Sequence, residues 1–410
     1  MQLGNVIVGQ SGGPTSVINS SLVGVFKTAK DAGCPHVYGM RNGIEGLLQE
    51  KFIEMSDYVK NDLDIELLKR TPSSFLGTCR YKLPDFTKDE ETYKKIFAIL
   101  KKMDIKHFFY IGGNDSMDTI DKLSKYADII KSDITFIGIP KTIDNDLVNT
   151  DHTPGYGSAA KYIASAMKEI IRDANTYATD AVTIVEIMGR DAGWLTCAST
   201  LSRSEDCAGP DIICVPETVF EYDTFIRKVQ EVREKKNKKG VIIAVSEGIR
   251  FADGTYVCEA NRKNITQDAF GHKQLGGTAL YLADFVGGEL GIKSRGIVFA
   301  TLQRCASHLV SRRDITEAFS VGADGIQLAL NGQTGKMVTI ERISNNPYQV
   351  KTASCPASSV ANMEKKVPLE WLVNENTYVS KEFFEYARPL IIGELSPFMV
   401  DGLPRHLFID

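Results

Sequence analysis

Short apolar runs alternate with stretches of helical periodicity along most of this chain. Residues 5–9 form one such run, and the turn Q-S-G-G-P-T-S follows at 10–16. Val17, Ile18, Leu22, Val23, Val25, Phe26 and Ala29 then recur every three or four positions up to Gly33, the period of one helix face. Strand, glycine turn and helix return over 107–126. Further apolar runs read as buried strands at 134–139, 181–187, 211–215, 241–245 and 297–302. Strands that are apolar throughout are covered on both faces, so the pattern predicts an α/β fold with doubly wound parallel sheets. In such sheets ligands collect beyond the carboxyl ends of the strands. After residue 345 the periodicity weakens and prolines interrupt it. Residues 346–410 therefore read as an extension packing on the domains or at an interface.

Composition narrows the partners. The 410 residues allow two to three domains, and a net charge of −4 does not suggest a nucleic-acid surface. The one basic run, 235–239, ends a polar helical stretch starting near Tyr222, where cations suit a helix C-terminus. Eight cysteines without a C-x-x-C pair predict free thiols in a reducing cytosol, and the six histidines have no ligand-like spacing. No run approaches the ~20 apolar residues of a membrane span, so a cytoplasmic location without a membrane partner is expected.

Chemistry concentrates in two segments, G-G-N-D-S at 112–116 and P-K-T-I-D-N-D at 140–146, each after an apolar run. A glycine pair between strand and helix lets backbone N–H groups approach an anion, and the helix turns its positive end the same way. Gly12 and Gly13 repeat the arrangement. Such pairs are also ordinary turns, and Asp144 in T-I-D-N-D could simply form a turn or cap a helix. Lys141, Asp144 and Asp146 nevertheless crowd a cation and two acids into six residues, the equipment for moving a phosphoryl group onto a hydroxyl.

Together with M-G-R at 188–190, S-E-G at 246–248 and L-Q-R at 302–304, these segments resemble the 6-phosphofructokinase family from the first strand to about Asp324. The resemblance implies two α/β domains with the active site in the cleft between them. The corresponding boundaries are 1–155 for the donor-phosphate domain, with a return near 303–345, and 156–302 for the fructose 6-phosphate domain. It implies donor contacts from Gly12, Gly13, Gly113 and Arg80, and Asp144 as the base taking the proton of the sugar's 1-hydroxyl. It also implies sugar contacts from Thr142, Ile143, Met188, Gly189, Arg190, Glu247 and Thr301. Arg295 and Arg304 would hold the 6-phosphate, partly across a subunit boundary, in a homodimer or homotetramer. Mg²⁺ would be met by Asn114 and Asp146. Asn114 stands where many members carry aspartate, and Thr301 where histidine or tyrosine is usual.

Two positions bear on the donor. Members using ATP resemble G-G-D-G-S and P-G-T-I-D-N-D, with glycine where this chain has Asp115 and Lys141. A carboxylate at 115 opposes a nucleotide's α-phosphate, whereas an ammonium at 141 meets the charge growing on a leaving phosphate. Asp144, Lys141 and Asp115 thus form the expected catalytic set of a pyrophosphate-dependent enzyme. An ATP-dependent kinase and a non-catalytic regulatory subunit are the alternatives. The second would have lost its base or its phosphate arginines, yet Asp144, Arg190, Glu247 and Arg304 are all present.

Overall fold

A computed structural model describes residues 3–176, 179–237, 240–261 and 275–409. Its eleven longest-range strands are β1 (Asn5–Gln10), β2 (Val37–Met40), β3 (Phe52–Glu54), β4 (Ile105–Gly112), β5 (Thr135–Pro140), β6 (Ala181–Ile187), β7 (Ile212–Cys214), β8 (Val241–Ser246), β9 (Lys293–Val298), β10 (Lys336–Asn345) and β11 (Tyr348–Pro356). The chain forms two compact units. One comprises Met1–Ser158, Arg304–Glu364 and Ile392–Asp410; the other comprises Ala159–Gln303 and Lys365–Ile391.

In the first unit seven strands run in the order β11-β10-β5-β4-β1-β2-β3. The inner pairs are parallel, while β3 and β11 are antiparallel at the two edges. Strand alternation sends Val6 and Val8 to one side, where they pack with Ile18, Leu22, Phe109 and Ile137. Ile7 joins Phe108, Tyr110 and Phe136 on the other side. Each apolar side chain taken fully out of water contributes roughly 1.5–3 kcal/mol, so this two-sided core stabilises the sheet. Helices Ile18–Asp31 and Arg312–Leu330 approach so closely that a Cβ on Gly24 would run into the Phe319 carbonyl, and one on Gly322 into that of Ser21. Glycine at both positions permits this contact.

The second unit carries a wholly parallel sheet in the order β7-β8-β6-β9. Val182, Ile184, Ile243 and Val245 pack there with Phe225, Val229, Leu282 and Val286 of two helices. The polar stretch from Tyr222 is the helix Tyr222–Lys235, with Arg233 and Lys235 in its last turn. Lys238 and Lys239 of the basic run lie outside the described residues. All eight cysteines are free, and among the described residues no helix is long and apolar enough to cross a membrane.

Two expectations are corrected. The run expected at 297–302 is strand only at 297–298. β9 lies earlier, over Lys293–Val298, with one side chain in two facing water, because it is a sheet edge and carries Lys293, Ser294 and Arg295. Nor are residues 346–410 one extension. β11 pairs with β10 and continues the main sheet, whereas Lys365–Ile391 belongs to the other unit. Both segments were obscured by exposure, which interrupts an apolar run with polar residues.

Candidate active site

In the first unit β1, β4 and β5 end side by side, and each leads into one of the glycine or lysine motifs. The neighbours of β1, β4 and β2, lead away in opposite directions, the arrangement that opens a crevice in sheets of this kind. Gly12 turns the chain at φ +74°. Its N–H donates to the Cys79 carbonyl at 3.2 Å, and its own carbonyl accepts from Thr78 Oγ1 at 2.8 Å. The Gly12 amide is engaged inside the protein, so this glycine contributes room rather than a donor to an anion. A Cβ on Gly12 would stand 3.4 Å from Lys141 Nζ, and one on Gly13 3.4 Å from Arg304 Nη1. Arg304 thus belongs to the first unit, beside Gly13.

Lys141 follows β5 and is buried, 3% exposed, with Nζ donating to the Gly13 carbonyl at 2.7 Å. Burial pulls its ammonium down. Asp144 and Asp146 push it back up, Arg304 and Arg80 oppose them, and the result is about 8. Burial raises Asp146, and the carboxylates of Asp144 and Glu364 add to the effect. Two acids that repel each other at a sheltered place are what a cation relieves. Among the described residues no three acidic, histidine or cysteine side chains converge on a metal position. A donor set of one carboxylate and one amide oxygen fits Mg²⁺, which keeps several waters and takes the rest of its ligands from phosphate. Asn114 and Asp115 open the helix Asn114–Ile130, so Asp115 is an acid in a first turn, where the helix's positive end favours it.

The segment bearing Asp144 is held by Thr142 and by neighbours the sequence did not single out, Thr153 and Asn145. Thr142 Oγ1 lies 3.1 Å from both Asp144 Oδ2 and the Asp144 N–H, fixing the carboxylate locally. Thr153 Oγ1 donates to the Thr142 carbonyl at 2.7 Å, and its N–H donates to Asn145 Oδ1 at 3.1 Å. Ile143 is buried. The supporting loop hangs in turn from two carboxylates of the helix Arg312–Leu330. Asp314 accepts the N–H groups of Gly155 and Ser158 at 2.9 and 2.8 Å. Glu317 accepts from His152 Nε2 at 2.7 Å and from Tyr348 OH at 2.8 Å. His152 Nδ1 meets Asp151 at 2.7 Å, and Arg342 closes on the same carboxylate at 2.8 Å. Burial alone would lower His152, but Glu317 and Asp151 outweigh it and hold the imidazole at about 9.

In the second unit the turns after β6 and β8 are laced together. Gly189, at φ +148°, offers its carbonyl to Ser246 Oγ and to the Gly248 N–H at 3.2 Å. The Glu247 N–H donates to the Ile187 carbonyl at 2.9 Å, and its own carbonyl accepts from Thr278 Oγ1 at 3.2 Å. The Met188 N–H donates to Gln303 Oε1 at 3.0 Å, and Gln303 is 1% exposed. Arg250 pairs with Asp191 and reaches the Arg190 carbonyl. Glu186 caps the helix Thr278–Leu290 through the N–H groups of Gly277 and Ala279, both at 3.0 Å. This lone acid in an apolar strand is a signal that the sequence offered and periodicity passes over. Thr301 is exposed and follows Ala300, whose φ of +46° is uncommon for a residue with a Cβ.

Met188, Gly189, Arg190 and Glu247 are therefore brought together, but Arg295 is not. It lies on β9 opposite Thr183, five residues before Met188 on β6, exposed and 3.7 Å from Asp173. At about 3.3 Å per residue that is roughly 16 Å from the turn.

The family described as Phosphofructokinase matches residues 5–298. A pyrophosphate–fructose 6-phosphate 1-phosphotransferase of Halomonas elongata is 39% identical over 405 residues, 98% of this chain and 95% of the relative. One from Xanthomonas campestris is 40% identical, covering 99% and 96%. The crystal structure of a pyrophosphate-dependent phosphofructokinase from Marinobacter aquaeolei matches with a TM-score of 0.87 at 35% identity, covering 99% of this chain and 96% of that one.

Proposed function

Because the chain belongs to the phosphofructokinase family, we propose that it moves a phosphoryl group reversibly between pyrophosphate and the 1-hydroxyl of fructose 6-phosphate. The products of the forward direction are phosphate and fructose 1,6-bisphosphate. The observation that carries the choice of donor is the buried Lys141 ammonium beside Gly12 and Gly13, in a chain whose helix Asn114–Ile130 holds Asp115 in its first turn.

Lys141 and Arg80 face the donor, with Gly12, Gly13 and Gly113 leaving it room. As the bridging oxygen departs, negative charge grows on the leaving phosphate, and Lys141 offsets it without reorganising. Asp115 opposes any α-phosphate. A like charge at ~4 Å costs about 4 kcal/mol at an effective dielectric constant of ~20, which disfavours a nucleotide. Asp144, held by the Thr142 hydroxyl, takes the proton of the sugar's 1-hydroxyl as the new O–P bond forms. Met188, Gly189, Arg190, Glu247 and Thr301 hold the sugar, with Thr142 and Ile143 beside Asp144, and Arg304 pairs with its phosphate. Mg²⁺, held by Asn114 and Asp146, would neutralise charge on the donor phosphates.

Arg295, remote from the 188–190 turn of its own chain, serves the 6-phosphate of a neighbouring subunit, so the working form is a homodimer or homotetramer in the cytoplasm. The test is Asp144→Ser. Turnover falls by about 10²–10⁴-fold, with the KM for fructose 6-phosphate changed by less than about threefold. Near-normal turnover would remove Asp144 as the base.

A further inference from the structure

The turn at 188–190 has a further support besides those from β8 and Gln303, and it reaches far along the chain. Glu217, just beyond β7, accepts two backbone N–H groups on one oxygen, from Gly193 at 2.8 Å and from Val367 at 3.0 Å. Gly193 closes the turn that begins at Met188, and Val367 belongs to the returning segment Lys365–Ile391. A Cβ on Gly193 would sit 2.7 Å from the other Glu217 oxygen, so the contact requires glycine there. The next residue, Trp194, is 2% exposed and donates its indole N–H to the Lys365 carbonyl at 2.9 Å. Its ring stands edge-on to Trp371 at 6.1 Å and tilted against Tyr386 at 5.3 Å.

The same segment also bonds β7, where the Ile213 N–H donates to the Thr377 carbonyl at 2.9 Å, and it buries Phe383, Ala387 and Leu390. It is therefore fixed independently of the turn and can act as a brace. We infer that Glu217 and Trp194 are positioning residues through which the segment Lys365–Ile391 braces the 188–193 turn and sets affinity for the sugar phosphate. The inference rests on the proposed role of Met188, Gly189 and Arg190 in holding fructose 6-phosphate. Removing the carboxylate leaves two N–H groups without their acceptor and frees the turn from its brace. The donor residues lie on other elements and keep their supports.

Steady-state kinetics of Glu217→Ala, Glu217→Gln and Arg190→Ala, each with KM for both substrates, test this. Glu217→Ala is expected to raise the KM for fructose 6-phosphate about tenfold, leaving kcat and the KM for pyrophosphate within about twofold. Glu217→Gln, which retains an acceptor oxygen, should return it to within about twofold of the parent. Hydrogen exchange at Gly193 and Val367 should accelerate together in the alanine variant. An unchanged KM for the sugar, or an equal rise for both substrates, overturns the inference. Arg190→Ala separates the two layers. If it raises the sugar KM while Glu217→Ala does not, only the brace fails; if it leaves the sugar KM unchanged, the role of the turn fails first. Should Glu217→Ala not fold, Trp194→Phe, which loses the bond to Lys365, carries the test with an expected rise of about threefold.

Discussion

At the scale of single residues the reading turns on Lys141, whose ammonium is sheltered from water and hemmed by two acids and two arginines. Burial lowers it to about 8, so the free enzyme sheds this charge as pH rises through that value. In the proposed mechanism the charged form is the one that meets pyrophosphate. Accordingly kcat/KM for pyrophosphate should fall tenfold per pH unit above about 8, and Lys141→Arg should abolish that limb. A flat profile to pH 9.5 in the parent would separate Lys141 from donor binding. Asp115 is proposed to act with it by repulsion, so Asp115→Gly combined with Lys141→Gly should improve the use of ATP and impair that of pyrophosphate. Donor preference unchanged in the double variant would mean that selectivity lies elsewhere. Their proximity was legible in the sequence because the candidates lie close together in the chain: Gly12 with Gly13, and Lys141 with Asp144. What was not legible is that the Gly12 N–H is already taken by Cys79, a partner fixed only by folding.

At the scale of elements, the loop carrying Asp144 is suspended from the helix Arg312–Leu330 and from the hairpin of β10 and β11. The suspension is a hydrogen-bonded chain, Arg342–Asp151–His152–Glu317–Tyr348, with His152 and Glu317 buried at its centre. The folded protein holds the His152 proton more tightly than the unfolded chain does, at about 9 against an ordinary value near 6.5. The stability it supplies is therefore complete below about pH 6.5 and is lost as pH rises through 9. His152→Gln should lower stability at pH 6 by about 3 kcal/mol, since it removes the cation between the Asp151 and Glu317 carboxylates, and should flatten this alkaline decline. Denaturant unfolding at pH 6 and pH 9.5 measures both effects, and an equal loss at the two pH values would refute the assignment. None of this could be read from sequence. His152 and Glu317 are 165 residues apart, Glu217 and Val367 150, and no periodicity connects them. The apolar strands were another matter: β6 spans 181–187, the run expected, because a strand covered on both faces carries its burial in its composition. The edge strands β9 and β11 mix exposed and half-buried positions, which dilutes that signal.

For the whole molecule, each of the two compact units gathers its candidate residues at the ends of sheet strands. In one, three adjacent strand ends bring together glycines, cations and the Asp144 segment; in the other, the ends of β6 and β8 form the laced turns proposed to hold the sugar. The family match spans residues 5–298, and the likeness to the pyrophosphate-dependent relatives extends over nearly the full chain. Those similarities do not explain why pyrophosphate should be preferred; the proposed roles of Asp115 and Lys141 would. The most direct test is a coupled assay of fructose 1,6-bisphosphate formation with fructose 6-phosphate and Mg²⁺, supplying either pyrophosphate or ATP at equal concentration. The account predicts turnover with pyrophosphate at least about a hundredfold above that with ATP, together with the reverse reaction when phosphate and the bisphosphate are supplied. Efficient turnover with ATP and none with pyrophosphate would contradict it.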